Sequence, residues 1–210
     1  GASASVLGQA TAVDVTGTAT AAQAEIIFNI NNSTVFETIL GNFSDILSVP
    51  TQALENSSSI KISDLSFGLK TISFDEFKHF SGSDTVLSKI DPAGFYFNIS
   101  NVSAADISHF SYLIGGTDNT NVVTDIAAPY VNQLIISDTA SNISDNLPEL
   151  QSLYSAGIIL AVDGNNLTLN VTENDYFNSQ SFFSILNGAT INITDVYASD
   201  ITNLISDGNN

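Results

Sequence analysis

The chain reads as an α/β protein, an irregular, solenoid-like repeat of short strands and capped helices. Three observations point there. Phe97-Asn-Ile-Ser-Asn-Val-Ser-Ala-Ala-Asp-Ile107 matches Ile191-Asn-Ile-Thr-Asp-Val-Tyr-Ala-Ser-Asp-Ile201 position by position. Shorter copies of the same strand-then-cap unit stand at Val15-Thr-Gly-Thr-Ala19, Ile62-Ser-Asp-Leu65 and Ile136-Ser-Asp-Thr-Ala140. Each unit carries one apolar face, which it can hide only against a neighbour, so units of this kind stack. The alternative is a compact α+β domain with an internal duplication.

Near the N-terminus Val13 and Val15 alternate with polar residues as a short strand does, and a threonine-capped helix is expected from Thr18 or Thr20. Val35, Phe36, Ile39, Leu40, Phe43, Ile46 and Leu47 then fall at helical spacing after Ser33-Thr34, which predicts a helix ending before Pro50. Ser59 to Asp64 alternates as a strand, and Leu69 to Phe74 is a second. Asp75 to Phe80 and Thr85 to Ile90 read as one or two helical turns each, followed by a turn at Asp91-Pro-Ala-Gly94. Phe95, Phe97 and Ile99 share one face of a strand, Ala104 to Ile114 is a short helix, and Gly115 to Asn121 is a loop.

The best-defined stretch runs from Ile136 to Ile193 and reads as strand, helix, paired strands, helix and strand. Ser137 or Asp138 is the expected N-cap, because a short oxygen side chain accepts a bond from a backbone N–H that the first turn leaves unpaired. Ala140, Ile143, Leu147, Leu150 and Leu153 line one helical face, and Pro148 predicts a break within it. Gly157 ends the helix, Ile158 to Val162 is a buried strand, Asp163-Gly-Asn-Asn166 is turn chemistry, and Leu167, Leu169 and Val171 alternate as a half-buried strand. Tyr176 to Leu186 is expected to be helical, Ile191 and Ile193 to lie in a strand, and Tyr197 to Ile205 to form a last helix. As a whole, residues 1–210 are expected to form one elongated repeat module, with a possible division into 1–58, 59–133 and 134–210.

Composition excludes some partners. Four lysines and no arginine face 22 acidic residues, for a net charge of −18, so nucleic acid and anionic lipid headgroups lack the basic surface they require. Cations are the natural counterparts, although an acidic surface also serves solubility alone. No apolar run approaches the roughly 18 residues of a membrane span, so no membrane insertion is expected. The chain is cysteine-free, so it has neither disulfides nor thiolate chemistry.

The stretch Ile136-Ser-Asp-Thr-Ala-Ser-Asn-Ile-Ser-Asp-Asn-Leu-Pro-Glu-Leu-Gln-Ser-Leu153, with Ile158 to Val162 and Leu167-Thr-Leu-Asn-Val-Thr172 after it, resembles a repeat of very large bacterial secreted and surface proteins. Those chains are similar to type I-exported adhesins and surface-layer-like proteins with many tandem copies. Val15 to Ala24 resembles a second variant of the unit. Pro148 and the irregular segment 108 to 134 depart from the pattern. The resemblance implies an extracellular, bacterial cell-surface location and a structural or adhesive role without catalysis. Its partners would be neighbouring repeats of the same chain, other surface proteins or glycans.

Chemistry could be carried in three places. Asp75, Glu76, Lys78, His79, Ser81 and Ser83 put a histidine among carboxylates and hydroxyls, as proton shuttling requires, although an ordinary surface helix has the same composition. Calcium is a possible cofactor: acidic turns offer hard oxygen ligands at Asp118, Asn119 and Asn121, at Asp163 and Asn165, and at Asp195. None has EF-hand spacing, and ordinary turn chemistry uses the same residues. Phe95, Tyr96, Phe97, Tyr176, Phe177, Phe182 and Phe183 could form a sugar-stacking platform, or simply core.

Overall fold

A computed structural model describes residues 4–64, 68–81, 86–91, 95–114, 130–163 and 166–201. In chain order the elements are α1 (Ala4–Gln9), β1 (Val13–Thr20), α2 (Ala21–Ile30), β2 (Thr34–Gly41), α3 (Phe43–Ser48), α4 (Thr51–Glu55), β3 (Ser57–Ile62), β4 (Gly68–Ser73), α5 (Phe74–Ser81), β5 (Ile90–Asp91) and β6 (Phe95–Val102). They continue as β7 (Val131–Ser137), α6 (Ala140–Asp145), α7 (Leu147–Ser155), β8 (Ile159–Asp163), β9 (Thr168–Thr172), α8 (Glu173–Asn178), α9 (Gln180–Phe183) and β10 (Thr190–Thr194). Two 3₁₀ helices, Leu87–Lys89 and Ala104–Ile114, stand before β5 and after β6.

This is a mixed α/β protein of short sheets and helices. β1, β2, β3 and β5 form one sheet in that order, β4, β6, β7 and β8 a second, and β9 and β10 a third. Neighbours in the first and third sheets pair in parallel, Val15 beside Phe36 and Phe36 beside Ser57 in the first, Asn170 beside Asn192 in the third, and β7 runs parallel to β8 in the second. A parallel neighbour demands a crossover of chain, and here a helix supplies it. The chain divides into two compact units, Gly1–Ile99 with Asn119–Asn132 and Ser100–Asp118 with Gln133–Asn210.

The joint between strand and helix is built the same way again and again. Thr20, Thr139 and Thr172 all have extended backbones, with φ near −70° and ψ of 154–160°, and each accepts a hydrogen bond from the backbone N–H three residues on. Asn42 does the same ahead of α3, accepting from Asp45 at 2.8 Å. At Thr20 the box is reciprocal, because Gln23 returns a bond to the cap's own N–H. Ser73 and Glu76 repeat that box at α5. Thr20 was expected as a cap; at α6, however, the cap is Thr139 in place of Asp138 or Ser137.

Asp138 has a different task. Its carboxylate accepts from Ser103 Oγ at 2.6 Å and Ala104 N at 2.9 Å, and so closes the start of the 3₁₀ helix that follows β6. Asp64 stands at the matching place in its own copy of the repeat and accepts from Phe43 N at 2.6 Å, at the start of α3. In the other three copies the same position turns the chain: Gly17, Asn101 and Asp195 have φ of 79°, 56° and 57°. Glycine, asparagine and aspartate tolerate that left-handed backbone best. Side-chain amides also stack between strands, Asn132 donating to Asn98 at 2.9 Å and Asn192 to Asn170 at 3.0 Å.

Three expectations change. The helix expected over residues 35–47 is instead β2 followed by α3. Phe36, Ile39, Phe43 and Ile46 are buried, so the three-and-four spacing is genuine, but β-branched Thr34, Val35, Thr38 and Ile39 favour the extended half and Asn42 caps the rest. The strands expected to pair across Asp163–Asn166 do not pair with each other. β8 lies beside β7, with Ile136 opposite Val162, while β9 pairs β10; a two-residue turn serves antiparallel partners, and these strands are parallel to others. The break assigned to Pro148 falls at Asn146, which leaves the proline in the first turn of α7 where a missing N–H costs nothing.

Each unit has its own core. In the first, Phe43 packs against Phe80 and Phe97 with ring centroids 5.3 and 6.3 Å apart, and Phe77 meets Phe97 edge-on at 6.1 Å. In the second, Ile136, Ile143, Leu147, Leu150, Leu169 and Phe182 are fully buried. Burying a side chain of this size contributes about 1.5–3 kcal/mol, so these faces account for most of what holds strand to helix. Among the described residues no helix is long and apolar enough to cross a membrane.

Candidate functional site

The group around His79 does not assemble into a reactive set. Glu76 is occupied with Ser73, Asp75 pairs with Lys78 at 2.6 Å on the surface, and Ser81 is buried. His79 turns away from these carboxylates: its Nδ1 lies 3.5 Å from Thr51 Oγ1, its ring meets Phe80 edge-on, and its buried Nε2 has no hydrogen-bond partner. Burial holds its pKa below the ordinary 6.5, with the polar backbone at Ile46 and Val49 pulling the other way. Ser83 lies outside the described residues.

Among the described residues, two surface clefts stand out. One, of about 350 Å³, is formed by Gly8, Ala10 and the turn Asn29 to Ser33. Its central group is already satisfied, because the Asn31 amide donates to the carbonyls of Leu7 and Ala10 at 2.9 and 2.7 Å and its oxygen accepts from Ser33 N. That cleft is a structural clasp for α1.

The other cleft, of about 510 Å³, is lined by Thr172, Glu173 and Asn174 at the β9–α8 joint, by Phe177 one turn on, and by Asp195, Tyr197 and Asp200 after β10. Local rules place these groups. Thr172 caps α8 and so sets Glu173 at the first helical position; the left-handed turn at Asp195 carries the chain from β10 back over that joint. Glu173 is 7% exposed, its Oε2 accepts from Tyr197 N at 3.3 Å, and its Oε1 is buried with no hydrogen-bond partner. Tyr197 is 71% and Phe177 37% exposed.

Of the residues singled out from sequence as calcium ligands, Asp195 lines this cleft. Asp163 is an exposed residue at the end of β8 and is not among its walls. Asp118, Asn119, Asn121 and Asn165 lie outside the described residues. Of the aromatic set, Phe95, Phe97 and Phe182 are core, Tyr96 is 48% exposed, and Tyr176 stacks on Phe183 at 5.9 Å. Glu173 itself was not anticipated, since a glutamate at the start of a helix ordinarily sits in solvent near the unpaired N–H groups.

Compared with known proteins, the chain matches no family model, no curated protein and no solved structure.

Proposed function

We propose that the chain is a non-catalytic structural or adhesive repeat segment of a large bacterial secreted or surface protein, its strand–helix units stacked as successive rungs of an irregular solenoid. The observation that carries this is the agreement between aligned sequence copies and built geometry. Positions 17, 64, 101, 138 and 195 are all corners: left-handed turns at Gly17, Asn101 and Asp195, and carboxylates closing another element's first turn at Asp64 and Asp138. β1, β2, β3 and β5, β7 with β8, and β9 with β10 lie parallel, their partner residues from 20 positions apart in the chain (Thr18 and Thr38) to 30 (Ile60 and Ile90), and the stacked asparagines make the same contact in both units. Units of this kind take much of their stability from neighbours.

Stacking extends to further copies. β1 and β10 stand at the ends of their sheets, and Val196, Tyr197 and Ile201 beyond β10 are exposed. Two copies of residues 1–210 joined in tandem therefore melt several degrees above one copy, because the join buries strand edges that a single copy leaves in water. An unchanged melting temperature, measured by circular dichroism, contradicts stacking across the join.

A second role is favoured by the cleft beside β10, where exposed Phe177 and Tyr197 flank carboxylates and an amide. Aromatic faces beside such groups suit a glycan or protein loop, with calcium supporting the site. A glycan array on which Tyr197→Ala loses signals that the unmodified chain gives supports this role; a silent array removes its glycan form.

A further inference from the structure

We infer that the exposed segment after β10, Val196–Ile201, is the seat of one further rung of the β7 kind: a strand that carries an asparagine and ends in a corner aspartate, with an apolar-faced helix behind it. It rests on the stacking proposed above and goes past it by naming the partner's chemistry. Stacking of any kind raises the melting temperature of the tandem chain, whereas only a partner on this seat covers Val196, so the two readings fail separately.

One sequence pattern stands here in two surroundings. Val102, Ala104 and Ile107 follow β6, while Val196, Ala198 and Ile201 hold the same places after β10 in the matching copy, and all six belong to the second unit. The first three are 0%, 0% and 1% exposed; Val196 is 37% and Ile201 48% exposed, and Ala198 is exposed as well. Both segments begin alike, on the left-handed corners at Asn101 and Asp195. They differ in what comes next. The 3₁₀ helix Ala104–Ile114 packs against α6 and α7, and Asp138 at the end of β7 closes its first turn. Among the described residues no strand follows β10, which ends its sheet with one edge open. Apolar positions that this pattern buries after β6 gain from the same burial after β10, and contiguous exposed apolar groups mark a contact surface.

Two contacts define what the new rung carries. Asn98 in β6 accepts from Asn132 in β7, and Asn170 in β9 accepts from Asn192 in β10, so in each pair the earlier strand's amide oxygen takes a donor from the later strand. Asn192 holds the place of Asn98 in the aligned copies and is last in its row. An asparagine on the next strand continues the row; an aspartate there has no proton to donate. The corner follows in the same way. Asp138 accepts from Ala104 N, and Asp64 in the first unit accepts from Phe43 N, each closing a helix that precedes it in the chain. Ala198 N stands where Ala104 N does, and a corner aspartate closes that turn too. Tyr197 replaces Ser103, so the hydroxyl bond that Asp138 also takes has no counterpart, and the tyrosine N–H is already held by Glu173. In exchange the tyrosine ring, 71% exposed, offers apolar surface to the incoming helix.

The test extends the full 210-residue chain past Asn210 by a second copy of residues 117–163. With Ile107 aligned on Ile201, residue 116 falls at 210, so the added copy continues the alignment without a gap and supplies a second β7, α6, α7 and β8. The chain has no cysteine, so Val196→Cys places a single thiol on the seat, and Ile201→Cys gives a second reading at its far end. Reaction with a thiol reagent is timed in both chains, with circular dichroism melts to show that the rest of the fold is kept. In the 210-residue chain the thiol is expected to react fast, at a rate independent of protein concentration. In the extended chain it is expected to react about tenfold more slowly or less, because a covered thiol reacts only when the cover opens. Asp138→Ala in the added copy restores part of the rate, and an added segment of the same composition in scrambled order leaves the reaction fast. A thiol equally fast in both chains, or slowed as much by the scrambled segment, overturns the proposal. So does a thiol already slow in the 210-residue chain, which assigns the seat to residues 202–210, or one that slows as protein concentration rises, which assigns it to a second copy of the chain.

Discussion

Among the described residues, His79 and Glu173 are the two ionisable side chains whose buried atoms find no hydrogen-bond partner, and they have opposite standing. His79 is neutral in its pocket: burial disfavours the imidazolium, so the folded chain binds its proton less readily than the unfolded chain does. A folded pKa below 6.5 means that stability is complete above about pH 6.5 and declines as pH falls toward the lower folded value. Melts between pH 5 and 8 should show that slope, and His79→Leu should flatten it; a slope unchanged in the variant assigns the acid sensitivity elsewhere. The sequence marked His79 as chemically interesting because it sits among Asp75, Glu76 and Ser81, but helical neighbours in sequence point around the whole helix. Glu173 was illegible for the opposite reason. Nothing about a glutamate following a threonine cap reveals that the chain after β10 folds back over it. The lack of lysine and arginine beyond Lys89, by contrast, could be read directly.

Between elements, the joints were partly legible. The threonine cap at Thr20 and the corner character of Asp64, Asn101, Asp138 and Asp195 follow from residue chemistry. The helix that each aspartate closes does not, because that contact joins residues 21 apart at Asp64 and 34 apart at Asp138. Asp138 illustrates the difference. Burial works against its charge, yet hydrogen bonds from Ser103, Thr139, Asn142 and Ala104 outweigh it and hold its pKa below the ordinary 3.8. Asp138→Ala should therefore lower stability by about 1–2 kcal/mol at neutral pH, read by urea unfolding. The loss belongs to the ionised form. It should be full above about pH 3.8 and fade as pH falls through the lower folded value. A neutral-pH effect near zero would mean that water replaces these bonds without cost. β2 was missed because Phe36, Ile39, Phe43 and Ile46 satisfy a helical period equally well when a strand and a short helix share them.

In the molecule as a whole, α/β character was readable, because strands and capped helices alternate along the chain. Sheet membership was not: β8 and β9 are adjacent in sequence and belong to different sheets, a choice made by which earlier or later strand offers an open edge. β1 with β2, β2 with β3, β7 with β8 and β9 with β10 lie parallel and in register, with a helix between them in the chain. The cysteine-free chain gives a clean test. Asn170 and Asn192 are register partners in β9 and β10 with their amides bonded at 3.0 Å, and parallel neighbours at that spacing are within disulfide reach. Asn170→Cys with Asn192→Cys should form an intrachain disulfide under mild oxidation, while Asn170→Cys with Thr194→Cys stays reduced. A bond in the shifted pair, or in neither, would contradict the stacked register.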